Sequence, residues 1–147
     1  MQEATWQPPS HDAIRERTSD RANQRIDDQT RAALDDALHS LTAIRQRLAQ
    51  LDREWNVDRA LMLNFAIVGG LVSSLALRNM KRRGKLGGWG ALFVTQLGFL
   101  AYHAIRRWCP PMPVFRRLGF RSDREISAER VALEQALTSS PSLASPA

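Results

Sequence analysis

Two apolar runs decide the fold of this chain: ALMLNFAIVGGLVSSLAL over Ala60–Leu77 and LGGWGALFVTQLGFLAYHAI over Leu86–Ile105. Neither run contains Asp, Glu, Lys or Arg. At roughly 1.5 Å per helical residue, each run is about long enough to cross the ~30 Å hydrocarbon core of a bilayer. The pattern therefore predicts an all-α membrane protein built on a two-helix transmembrane hairpin.

Basic residues border both runs. Anionic lipid headgroups attract Lys and Arg beside a membrane segment, and such residues are expected to contact those headgroups here. The predicted contacts are Arg78, Lys81, Arg82, Arg83 and Lys85 between the runs, and Arg106 and Arg107 after the second run.

Charge is divided unevenly along the chain. Residues 1–59 contain nine Arg and eleven Asp or Glu, a net charge of −2, whereas residues 60–147 contain twelve Lys or Arg and four acidic residues, a net charge of +8. Most of the positive charge thus accompanies the apolar half, where a lipid bilayer explains it better than nucleic acid does. We therefore expect the bilayer as a partner and no nucleic acid.

A helical pattern of another kind precedes the hairpin. Leu34, Ala37, Leu41, Ile44, Leu48, Leu51 and Trp55 follow one another at spacings of three and four, which is a heptad seam. The pattern predicts an amphipathic helix over residues 29–55. Two readings of the seam stay open: a coiled coil with a second copy, or packing on the same chain or on headgroups.

The remaining segments are less apolar. Residues 1–28 are predicted to be a disordered or weakly helical charged tail, and residues 138–147, rich in Ser, Pro and Ala, a disordered tail. Ser122 and Glu125 form a Ser-x-x-Glu capping box, which predicts a C-terminal helix over residues 121–137. The hairpin domain itself is expected to occupy residues 56–120.

Small and polar residues lie within the two runs. Ala66, Gly70 and Ser74 are spaced four apart on one helical face, a row that lets helix backbones approach closely. We expect helix packing there and a homo-oligomer. The uncharged polar residue Gln96 is expected to serve in hydrogen bonding between helices rather than in transport. His103 lies near the membrane interface, where we expect it to contact lipid headgroups.

One residue is a candidate for a chemical role. Cys109 is the single cysteine, and nearby arginines would favour its thiolate, which suits a thiol relay or sulfur carrier. The alternative reading is a small hydrophobe beyond a helix end. The sequence contains no phosphate loop, metal-ligand spacing or catalytic carboxylate pair, so we expect no enzyme, cofactor or metal.

Asn56-Val57-x-Arg59, the apolar hairpin, and Cys109-Pro110 followed by Leu118-Gly119 resemble the YgaP-like transmembrane domain family of bacterial inner membranes, whose function is unknown. The resemblance covers roughly Asn56 to Phe120. It implies a hairpin that dimerises through its helices and has no assigned enzymatic activity. The closing Tyr of the family motif is absent here, with Met112-Pro113 in that region.

Together these features predict a multi-pass, non-enzymatic anchor or scaffold in the bacterial inner membrane, with an unknown protein partner. Both termini are expected on one side. The flanks of the hairpin hold more Arg than its loop does, and no cleavable signal precedes it, so that side is expected to be the cytoplasm.

Overall fold

The structure is a computed structural model that describes residues 6–139. These residues form seven helices and no strand, which confirms the all-α class. The helices are α1 (Ala13–Glu16), α2 (Asp20–Ala37), α3 (Leu41–Leu51), α4 (Val57–Arg83), α5 (Gly87–Arg106), α6 (Met112–Arg117) and α7 (Asp123–Ser139).

The two apolar runs fold back on each other as an antiparallel helix pair, α4 and α5. Asn56 begins α4 by accepting a hydrogen bond from the backbone N–H of Arg59 at 2.8 Å, as an N-cap does. Gly84 ends α4 in the left-handed conformation, with φ at 65°, which costs glycine no Cβ clash. Helix α4 therefore contains the whole apolar run of residues 60–77 and extends six residues beyond it, to Arg83.

The other five helices pack together into what we call the headpiece (α1, α2, α3, α6 and α7). Its main apolar core joins the N-terminal segment, α2, α3 and α7. The buried residues of this core are Trp6, Leu34, Ala37, Ile44, Leu51, Ile126 and Leu133.

The heptad segment differs from the single helix predicted over residues 29–55. It forms the end of α2 and all of α3, because the chain turns after Ala37 and Ser40 starts a new helix. The Ser40 hydroxyl accepts a hydrogen bond from the Ala43 backbone N–H at 3.1 Å. This turn lets Leu34, Ile44 and Leu51 pack against α7 of the same chain.

Residues 6–28 are more ordered than the predicted disordered or weakly helical charged tail. Helix α2 starts at Asp20, nine residues earlier than predicted, and Ile14, Ala22 and Ile26 are buried. Sparse apolar residues are enough here because partners distant in sequence cover them. Residues 1–5 and 140–147, which include the start of the first predicted tail and most of the second, lie outside the described range.

The capping box at α7 forms as predicted. The Ser122 backbone N–H donates to Glu125 Oε2 at 2.7 Å, and the Glu125 N–H donates to the Ser122 hydroxyl at 3.1 Å. Helix α7 accordingly begins at Asp123 and extends to Ser139, close to the expected range of residues 121–137.

Candidate functional site

The most distinctive surface of the molecule is the outside of the hairpin. Sixteen of the twenty exposed large hydrophobic side chains among the described residues lie between Met62 and Ile105, including Ile67, Val94 and Ile105, which are 64%, 67% and 80% exposed. Only 22% of the most apolar stretch of α4 is buried. Such a surface is unfavourable in water and marks a site of contact with lipid or another apolar partner.

Among the helices of residues 6–139, α4 is long and apolar enough to cross a membrane. Helix α5 does not meet the same criterion. Its glycines and its polar residues Gln96 and His103 lower its average hydropathy, although most of its outward side chains are apolar. The paired helices are thus present as predicted, whereas the second membrane span is not confirmed.

The inside of the hairpin is held by a polar contact at its middle. The Gln96 side-chain amide donates to the backbone carbonyl of Phe65 at 2.9 Å. Gly69 makes room for it, since a Cβ at Gly69 would lie 3.0 Å from Gln96 Nε2. Val72 and Ala76 continue this buried face of α4.

The predicted packing row is on another face of α4. Ala66, Gly70 and Ser74 are all exposed, and a Cβ added at Gly70 would meet no atom within 4 Å. The row is therefore not the contact between α4 and α5. Within the chain it remains open to a further helix.

The tip of the hairpin is a structured basic turn. The side-chain amide of Asn79 donates to the carbonyls of Lys85 and Leu86 at 3.0 and 3.3 Å. Five exposed cations surround it, and across residues 6–139 none of the five forms a salt bridge. They are Arg78, Lys81, Arg82, Arg83 and Lys85.

At the opposite end of the hairpin, buried ion pairs hold the helices of the headpiece to one another. Glu125, fully buried, accepts two hydrogen bonds from the equally buried Arg116, at 2.5 and 2.8 Å. Arg15 bridges Glu125 and Asp27. Burial alone would raise the pKa of Glu125, but the hydrogen bonds and charges of Arg116, the Ser122 amide and Arg15 together lower it below its usual 4.5.

A second cluster lies one turn further along α7. Glu129, also fully buried, pairs with Arg121 and Arg47. Arg121 in turn pairs with Glu54 at 2.6 Å and donates to the Thr30 hydroxyl at 3.0 Å. Burial would lower the pKa of Arg121, but the bonds and charges of Glu54 and Glu129 raise it, so this arginine stays charged.

These clusters connect directly to the start of α4. The backbone carbonyl of Arg121 accepts the Val57 N–H at 2.8 Å. Asn56, the cap of α4, also donates to Asp123 at the start of α7 at 3.4 Å. The headpiece therefore fixes the position of the hairpin through backbone and side-chain contacts at its base.

Asp58 and His103 face each other across the base of the hairpin. The His103 Nε2 and Asp58 Oδ1 atoms are 3.3 Å apart, and His103 is buried. This contact links the first turn of α4 to the last turn of α5. The pocket beside Asp58 has a volume of about 60 Å³, which is room for about two waters.

Cys109 is not placed as a reactive thiol. It is fully buried in an apolar cluster with Ile14, Val57, Leu61 and Met112. Burial raises the pKa of this thiol, and the charge of Asp58 raises it further, although the Met112 backbone N–H acts in the opposite direction. The arginine effect expected from the sequence fails because Arg106 and Arg107 face solvent and Arg116 is paired with Glu125.

In the part of the chain that the structure describes, no three His, Cys, Asp or Glu side chains are grouped so as to hold a metal ion. No family model matches the chain, and no curated protein or solved structure matches it either.

Proposed function

We propose that this chain is a non-enzymatic membrane anchor that self-associates and holds an ion-paired helical headpiece at the surface of a bacterial inner membrane. The observation that carries the proposal is that exposed apolar side chains and salt bridges lie in different parts of the molecule. Among the described residues, most exposed large hydrophobic side chains lie on the hairpin, and the salt bridges, apart from the contact between His103 and Asp58, lie within the headpiece.

In this proposal both hairpin helices cross the membrane. Helix α5 has 20 residues, about 30 Å at 1.5 Å per residue, which matches the hydrocarbon thickness. Its outward residues include Leu92, Val94 and Leu97, whereas the amide of Gln96 points to α4. Apolar side chains facing out and a polar one facing in are the arrangement that lipid favours.

Self-association would use the open row of Ala66, Gly70 and Ser74. The row is exposed along its length, so the helix of a second copy can approach the α4 backbone closely. The heptad seam is a weaker candidate, because Leu34, Ile44 and Leu51 are already buried within the chain.

The resemblance to the YgaP-like family fits the structural roles of the motif residues. Asn56 caps α4, Cys109 fills the core at the hairpin base, and Gly119 has a φ of 96°, a conformation that favours glycine. On this reading the motif maintains the base of the hairpin, and no reaction is assigned to it.

One reconstitution tests both parts of the proposal. Chains labelled with donor or acceptor fluorophores at Ser10 (as Ser10→Cys in a Cys109→Ala background) are mixed with phosphatidylcholine vesicles and floated on a density gradient after an alkaline wash. We expect the protein to float with the vesicles and to show energy transfer that Gly70→Leu abolishes. Gly98→Leu, also in open space but on α5, is the matched control and should keep the transfer.

Release from the vesicles by the alkaline wash would contradict the anchor. Energy transfer that persists in Gly70→Leu would contradict the proposed self-association surface and leave the anchor standing.

A further inference from the structure

Helix α6 carries an apolar face that the headpiece core does not use. Val114 and Leu118 are 56% and 69% exposed. Leu118 directly follows the last residue of α6 and keeps a helical backbone conformation, so it lies on the same side as Val114, four residues earlier. The opposite side is buried, through Met112 and Arg116. The outer face thus needs an explanation of its own.

The position of α6 in the fold indicates what covers this face. Helix α6 packs against α4, and Met112 shares a buried cluster with Val57 and Leu61, in the first turns of α4. Phe65, one turn further on, and Phe115 of α6 pack against the same cluster. Helix α6 therefore lies beside the level at which the apolar run of α4 begins.

Unpaired positive charge lies beside this face, at Arg117 and Arg25, and at the base of the hairpin, at Arg106. Arg106, Arg117 and Arg25 are exposed, and Arg25 donates to the backbone carbonyl of Arg117 at 3.3 Å. In the described part of the chain, none of these three arginines forms a salt bridge. An apolar pair next to arginines is the composition of helices that lie in the headgroup layer of anionic membranes.

Two tryptophan side chains also lie at the base of the hairpin. Trp55 lies next to the cap of α4, and its ring is 5.0 Å from the guanidinium of Arg59. Trp108 lies between α5 and α6, and its ring is 6.0 Å from the guanidinium of Arg17. Tryptophan concentrates at the boundary between membrane and water. Both rings lie at the base of the hairpin, as α6 does.

We propose that the outer face of α6 is a membrane foot: Val114 and Leu118 enter the headgroup layer of an anionic bilayer, and Arg106, Arg117 and Arg25 bind its phosphates. The foot rests on the proposed membrane hairpin and adds a second, interfacial contact that sets the height and tilt of the headpiece. In this proposal, lipid rather than a protein partner covers the outer face of α6.

The test measures the depth of single positions in the full chain. A Cys109→Ala background carries one cysteine with an environment-sensitive fluorophore at Leu118, at Val131 or at Leu97, in vesicles of phosphatidylcholine with a minor fraction of phosphatidylglycerol. Val131 is the matched control, because it is an apolar residue of similar exposure, 50%, that is not part of the proposed foot. It lies on α7, about 12 Å along the helix from its first residue. Quenching is compared for iodide in the water and for a nitroxide on the lipid chains.

We expect lipid quenching at Leu118 and Leu97 and iodide quenching at Val131. In phosphatidylglycerol vesicles, Arg117→Gln should reduce the lipid quenching at Leu118, and in pure phosphatidylcholine it should have no effect.

Iodide quenching at Leu118 equal to that at Val131 would overturn the foot. Protection of Leu118 from both quenchers would also overturn it, because a protein partner or a second copy would then cover the face. Iodide quenching at Leu97 would instead refute the membrane hairpin, so the two failures are distinguishable.

Discussion

Glu125 shows at the scale of one residue what the sequence can and cannot predict. Its role in the capping box follows from Ser122 three residues earlier, because both partners are local. Its burial against Arg116 and Arg15 does not follow. Arg15 is 110 residues away, and nothing in the pattern selects it from the other basic residues.

The buried clusters lead to a prediction about stability. Glu125→Gln leaves the fully buried Arg116 without its counter-charge, whereas Arg15 keeps Asp27, and the change should destabilise the headpiece by about 3 kcal/mol. The measurement is urea unfolding in detergent, followed by the fluorescence of the buried Trp6 after the other three tryptophans are changed to phenylalanine. Glu134→Gln, on the exposed side of α7, is the control and should leave the midpoint unchanged.

The same carboxylate sets an acid dependence. Since the pKa of Glu125 is lowered in the folded chain, its contribution is complete above the usual value of 4.5 and is lost as the pH falls through the lower, folded value. The urea midpoint should therefore hold from pH 7 to about 5 and fall below about 4.5. A Glu125→Gln chain with an equally steep acid loss would show that another group is responsible.

At the scale of elements, the apolar patterns predict which segments are helical better than they predict partners. The heptad spacing of Leu34, Ile44 and Leu51 is the same whether the partner is a second copy or α7 of the same chain. In the structure Ser40 caps the start of α3. The sequence does not reveal this, because a serine on the polar face of one long helix would give the same pattern.

The hairpin interface gives a prediction that separates two neighbouring glycines. Gly69→Leu should push Gln96 away and break its bond to the Phe65 carbonyl, because even a Cβ there lies 3.0 Å from Gln96 Nε2. Distances between spin labels at Leu71 and Leu97 in vesicles should then lengthen or broaden. Gly70→Leu, with open space around it, should leave that distance unchanged. Equal disturbance by both variants would contradict the assigned face.

For the whole molecule, the two apolar runs predict the positions of α4 and α5 within a few residues, because no other segment of the chain is both long and free of charge. The packing of the headpiece could not be predicted from the sequence, for the opposite reason. The packing of its helices depends on Trp6, on isolated buried residues such as Ile14 and Ile26, and on ion pairs between distant segments. Such contacts leave little periodic pattern in the sequence.

The central claim is that the hairpin crosses the bilayer twice, with the headpiece and the basic tip on opposite sides. The most direct measurement is labelling by a membrane-impermeant maleimide in sealed right-side-out and inverted inner-membrane vesicles. Single cysteines are placed in the Cys109→Ala chain at Gln24 of the headpiece, at Lys85 of the tip, and at Leu97 within α5, all of which are exposed in the isolated chain. We predict that Gln24 labels only in inverted vesicles, Lys85 only in right-side-out vesicles, and Leu97 in neither. Labelling of Gln24 and Lys85 from the same side would contradict the account, because the hairpin would then not span the membrane.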